Sequence, residues 1–156
     1  MRIAERIRYL ALAVQREGNR SLTAALRPLN LTPAQSEALR ILGDHEPLSL
    51  GDLGRMLVCE AGTNPSRLVD RLVRSGLVDR VEAADDRRQL SLTLTPRGRE
   101  LETSVRELEE QLYAELEREL AGTDVASLVG VLESLVAGRP SGEALAARIA
   151  AEKGVR

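Results

Sequence analysis

The stretch Thr63-Asn64-Pro65-Ser66-Arg67-Leu68-Val69-Asp70-Arg71-Leu72-Val73-Arg74-Ser75-Gly76-Leu77-Val78-Asp79-Arg80-Val81 changes its period part-way along, and that change decides the fold. Leu68, Leu72 and Val73 share one face of a helix from about Thr63 to Ser75, with Pro65 in the first turn, where a missing N–H costs nothing. Gly76 ends it where a left-handed residue is needed. Leu77 to Val81 and Leu90-Ser91-Leu92-Thr93-Leu94 then read as short strands, the second alternating strictly. The polar run Ala83 to Arg88 separates them, which makes a hairpin.

Upstream, Ser49 caps a short helix from Leu50 to Leu57 with Leu50, Leu53 and Leu57 on one face. Before that, Leu31-Thr32-Pro33-Ala34-Gln35 starts a helix, with Thr32 as cap, Pro33 at the first position and Gln35 completing a capping box. This helix is expected to stop at Gly43. His45, between Gly43 and Pro47, reads as a surface turn residue. Ile3, Ile7, Leu10 and Val14 mark a long first helix that Pro28 and Asn30 interrupt. Downstream, Thr95-Pro96 opens a long helix carrying Leu101, Val105, Leu108, Leu112, Leu116 and Leu120, closed by Gly122. Val125, Leu128, Val129, Leu132, Leu135 and Val136 form another. Gly138 to Gly142 breaks the chain before a last short helix near Ala144 to Glu152.

Composition narrows the chemistry. No apolar run can span a bilayer and the N-terminus mixes charge with aliphatics, so a cytoplasmic protein without a membrane partner is expected. One cysteine, Cys59, and one histidine, His45, leave no basis for a disulfide or a metal site, and no cofactor is expected. No nucleophile–base pair stands at useful spacing, so an enzyme is not expected. Cys59 reads as a small buried apolar residue, and its neighbours Val58 and Glu60 give it no cationic partner. Phe and Trp are absent, so the core is aliphatic and base stacking is not available for binding nucleic acid. The net charge of -2 conceals an uneven distribution: residues 49–99 carry +2 and residues 100–137 carry -8.

Two short helices, a third ended by glycine, and a hairpin make a helix-turn-helix with a wing. The third helix would enter the major groove. Thr63, Asn64, Ser66 and Arg67 would present hydrogen-bonding groups to base edges, and Arg71 and Arg74 would meet phosphates. Asn64 and Ser66 also have a plain reading as caps. Ser49, at a helix cap, is a further candidate for the DNA backbone, and Arg87 and Arg88 at the hairpin tip suit a narrow minor groove.

These residues resemble the MarR family. Leu31 to Gln35 looks like the opening of that family's second helix, and Ser66 to Leu72 with Gly76-Leu77-Val78 resembles its recognition helix and turn. Asp86-Arg87-Arg88 followed by Leu92, Leu94-Thr95 and Gly98 resembles its wing. The resemblance implies a homodimer joined by its first and last helices, reading a pseudo-palindrome in double-stranded DNA and released by a small-molecule effector bound between platform and lobe. It also implies that Asp86 braces Arg88. The family's peroxide-sensing branch resembles a pattern with a reactive cysteine in the first helix, and none stands there here.

The fold expected is therefore mainly α with a small β-hairpin wing, a winged helix-turn-helix lobe on an α-helical dimerisation platform. Residues 1–30 form the N-terminal dimerisation helix, 31–95 the DNA-binding lobe and 96–156 the C-terminal dimerisation helices. Ile3, Ile7, Leu10, Val14, Leu128 and Leu132 are the expected dimer contacts. The function expected is a sequence-specific transcription regulator, a repressor. The alternative is a helical interaction protein that no longer touches DNA and works through its acidic late helix.

Overall fold

The computed structural model describes residues 1–59, 64–82 and 90–154. The chain starts with α1 (Ile3–Leu26), followed by a single 3-10 turn at Arg27–Leu29 that ends in left-handed Asn30. Thr32 then accepts the Gln35 N–H while Gln35 accepts the Thr32 N–H, the expected capping box, and α2 (Pro33–His45) begins with Pro33 in its first turn. After α2 come β1 (Leu48–Ser49), α3 (Leu50–Met56), α4 (Ser66–Arg74), β2 (Val78–Glu82) and β3 (Leu90–Leu94). The long α5 (Pro96–Glu119) leads to α6 (Val125–Val136) and α7 (Pro140–Gly154).

The hairpin expected from the alternation is present, with Val78 opposite Leu94 and Glu82 opposite Leu90. A third strand, β1, pairs antiparallel with β3, Leu48 opposite Leu92, giving the order β1-β3-β2. Two residues are too few to show a period, so β1 left no mark in the sequence. One aliphatic core fills the lobe: Leu39, Ile41 and Leu42 of α2, Leu53 and Leu57 at α3, Leu68, Val69 and Leu72 of α4, and Val78 and Leu92 of the sheet are all buried. Each such side chain contributes roughly 1.5–3 kcal/mol by leaving water.

Three helix boundaries differ from expectation. α2 runs through Gly43 to His45, which is half-buried at its end and does not sit in a turn. Gly43 makes room there: a Cβ on it would stand 2.8 Å from Cδ of Glu102, so the missing side chain admits α5. α7 begins at Pro140 and not near Ala144. Gly138 does break the chain with φ 66°, but the proline stands at the start of the new helix, a place it tolerates well. α7 lies against α3 and α2, with Ala147 and Ala151 on the core. The third is the start of α4, at Ser66.

Charged side chains join lobe to platform. Arg40 on α2, little exposed, sends Nη1 to Oε1 of Glu102 at 2.5 Å and Nε to Oε2 of Glu109 at 3.0 Å, both on α5. Arg106 donates to the same Glu102 oxygen at 2.7 Å and to Asp44 at 2.8 Å. Burial alone would depress the Arg40 pKa, but its bonds to Glu102 and Glu109 and the charge of Asp44 outweigh burial and raise it. Burial likewise works to raise the Asp44 pKa, and the bond from Arg106 with the charge of Arg40 overrides it and holds that carboxyl below its ordinary value. Among the described residues no buried side-chain nitrogen or oxygen lacks a partner.

The platform helices are bare by comparison. Leu26 is the only fully buried residue of α1, and α6 has none. Ile3 and Val14 are 72% and 73% exposed, and Ile7, Leu10, Leu116, Leu128 and Leu132 also face outward. The chain's two tyrosines, Tyr9 and Tyr113, sit half-exposed on α1 and α5. Among the described residues no helix is long and apolar enough to cross a membrane.

Thr95 caps α5 through the Gly98 N–H (2.9 Å) and donates its hydroxyl to the Gly76 carbonyl (2.8 Å), locking the end of α4 to the start of α5. A Cβ on Gly98 would fall 2.0 Å from the Leu77 carbonyl oxygen. Gly98→Ala therefore destabilises the fold by about 1–3 kcal/mol through forced backbone displacement, measured by urea unfolding. Arg40→Met leaves Glu109 without its cation and Glu102 with Arg106 alone, and the same measurement gives a loss of roughly 3–5 kcal/mol.

Candidate nucleic-acid interface

Helix α4 divides cleanly. Leu68, Val69 and Leu72 are buried, while Arg67, Arg71 and Arg74 are exposed at spacings of four and three, which puts three guanidiniums on one side. Gly76, with φ 67°, turns the chain out of the helix, and the Leu77 N–H closes back on the Leu72 carbonyl at 3.0 Å.

The helix starts at Ser66, three residues later than the expected Thr63. Pro65 is its N-cap, with its carbonyl accepting the Val69 N–H at 3.0 Å, and Asn64 Oδ1 accepts the Ser66 N–H at 2.9 Å. The ring of Pro65 disfavours helical backbone at Asn64, and the asparagine side chain offers a local acceptor instead. Asn64 thus makes a local turn bond one residue ahead of the N-cap, Pro65. Ser66 is half-buried in the first turn, leaving Arg67 as the first exposed side chain of the helix. Thr63 lies outside the described residues, as do Asp86, Arg87 and Arg88. The connection between the strands leaves β2 at Glu82 and enters β3 at Leu90.

Ser49 forms the expected cap, accepting the Asp52 N–H at 3.0 Å, and donates to Asp52 Oδ2 at 2.6 Å. A carboxylate therefore shares the N-terminus of α3, itself paired with Arg55.

Sequence reasoning passed over Arg80. It pairs with Asp70 of α4, tying wing strand to recognition helix, while Arg74 Nε donates to the Asp70 carbonyl at 3.2 Å. The two-residue period of a strand carried the signal, because Arg80 falls on the face of Val78, and Val78 is core.

Cys59 is exposed, contrary to the buried position expected. The turn that holds it rims a cleft of about 920 Å³ among α1, the start of α2, α4 and α7, lined by Gln15, Asn19, Gln35, Arg71 and Ser141 as well as Cys59.

Comparison with known proteins bears on this arrangement. The MarR family model matches residues 31–90. An organic hydroperoxide resistance transcriptional regulator of Bacillus subtilis (strain 168) is 30% identical over 98 residues, 63% of this chain and 66% of that protein. The uncharacterized HTH-type transcriptional regulator YcgE of the same organism is 30% identical over 117 residues, 70% of this chain and 75% of that protein. Among solved structures, a mutant MarR from E. coli complexed with operator DNA superposes with a TM-score of 0.73 at 26% identity, covering 87% of this chain and 99% of that one.

Proposed function

The chain belongs to the MarR family, and from that membership we propose that it is a sequence-specific transcription regulator, a repressor that binds a pseudo-palindromic operator in double-stranded DNA as a homodimer. The observation that carries the reading is the α4 face of Arg67, Arg71 and Arg74, presented outward by a buried row of Leu68, Val69 and Leu72. The operator complex of the related MarR structure supports it.

Arg67 reads a base edge, as the first exposed side chain of the recognition helix, and Arg71 and Arg74 meet phosphates. Thr63, Asn64 and Ser66, around the start of the helix, offer further hydrogen-bonding groups to base edges. Arg87 and Arg88 serve the minor groove with Asp86 bracing Arg88, and Ser49 stands near the DNA backbone. The exposed apolar faces of α1 and α6, Ile3, Ile7, Leu10, Val14, Leu128 and Leu132 among them, exceed what water tolerates on a lone chain and are covered by a second copy. Residues 1–30 and 96–156 supply that platform and 31–95 the reading lobe. A small-molecule effector binds between the platform and the lobe and releases the DNA. The protein works in the cytoplasm and catalyses nothing.

Titration of three duplexes separates the roles. Arg67→Ala costs about 1–3 kcal/mol on the selected site and far less on random DNA. Arg88→Ala weakens binding most where the flank is A/T-rich and makes the salt dependence shallower by roughly one phosphate per subunit. Equal losses on every duplex for Arg67→Ala would assign it to phosphate and end the base-reading role. For assembly, Leu128→Glu combined with Leu132→Glu lowers stability and association together in sedimentation, whereas a well-folded wild-type monomer at micromolar concentration would falsify the dimer.

A further inference from the structure

Glu37 is a carboxylate turned into the protein, 8% exposed. Its Oε1 accepts the Val58 N–H at 2.8 Å and its Oε2 accepts the Cys59 N–H at 2.9 Å. These are consecutive amides just past α3, on the chain's way into the recognition helix. Leu57, which closes α3, is extended, with φ -76° and ψ 110°, so the chain leaves the helix without a wound cap. Two adjacent N–H groups aimed at one point form a concavity suited to an anion, and the two carboxylate oxygens take one each.

A Cβ on Gly54 of α3 would stand 2.8 Å from Cγ of Pro65, the N-cap of α4, so α3 and the foot of the recognition helix are already in contact. The third party is α7, whose Arg148 Nη1 lies 3.8 Å from Glu37 Oε1. One side chain of α2 thus meets the turn before the reading helix and the last helix of the chain.

We infer that Glu37 is a positioning residue for DNA reading: by holding the amides of Val58 and Cys59 it fixes where α4 stands, and Arg148 ties that hold to α7. The inference rests on the DNA-binding function proposed above. Base-edge contacts fail with small misplacements, whereas phosphate contacts through long arginines follow them. Loosening the turn therefore costs discrimination rather than general affinity.

Glu37→Gln keeps the shape but turns one acceptor into a donor, so one of the two amides loses its partner. Amide hydrogen exchange at whichever of Val58 and Cys59 loses its acceptor accelerates about tenfold or more while Leu39 and Leu42 keep wild-type protection, as expected for one lost charge-assisted bond. In parallel titrations the ratio of selected-site to random-duplex affinity falls about tenfold, with random-duplex affinity and salt dependence changed less than about twofold. Arg148→Ala, which leaves the carboxylate in place, moves both readings the same way by about twofold. Should Glu37→Gln fail to fold, Glu37→Asp carries the test, since its shorter arm keeps the charge but cannot span both amides. Unchanged exchange at both amides overturns the clamp, and faster exchange with an unchanged affinity ratio overturns the positioning role. A wild-type protein that prefers no duplex to random DNA overturns the proposed function and this inference with it, a result the exchange data tell apart from failure of the clamp alone.

Discussion

Helix α2 is enclosed on its polar side as well as its apolar one, and most of the structure follows from how it meets that condition. Leu39, Ile41 and Leu42 face the lobe core, but Ser36, Glu37 and Arg40 are also withdrawn from water. A buried charge without a partner is far too costly to keep, so each of these must find one within the protein. Ser36 donates to the Pro33 carbonyl at 2.8 Å, Glu37 takes the turn after α3, and Arg40 takes two carboxylates of α5. The helix therefore fixes, with bonds of defined direction, how both the turn after α3 and the long helix α5 stand against it. Apolar packing alone would have left those angles freer, because it has no direction.

What the sequence made legible were features whose cause lies within a few residues. The capping box at Thr32, the caps at Ser49 and Thr95, the left-handed Gly76 and the alternation of Leu90 to Leu94 are settled by local hydrogen bonds or by a short period, and each stands where it was expected. What could not be read depended on contacts far along the chain. Gly43 looked like a stop, yet it is a passage for Glu102, about sixty residues later in sequence. Cys59 looked buried because free cysteines usually are, but the bonds that place its turn come from Glu37. Two errors were local: the effect of Pro65 on the preceding residue outweighed its ease within a first turn, and Pro140 opened a helix where a break was expected. The arginines of α4 were legible as a set, and Arg80 was not, because its role depends on Asp70 across the gap between helix and strand.

Charge is divided along the molecule in a way that suits a protein that meets a polyanion on one side. Residues 49–99, which hold the reading helix and the wing strands, carry +2, and residues 100–137 carry -8. Part of that acidity is engaged internally, since Glu102 and Glu109 serve Arg40. The remainder lies on and between α5 and α6 and makes that part of the chain strongly acidic.

The aliphatic core has an optical consequence. With no Trp, and with Tyr9 and Tyr113 both on the helices outside the lobe core, the lobe is spectroscopically silent. Intrinsic tyrosine emission and near-ultraviolet dichroism report on α1 and α5 alone. Movements of the platform can be followed in the unlabelled protein against a dark background, and a single tryptophan placed in the lobe would give the other half of the molecule a signal of its own.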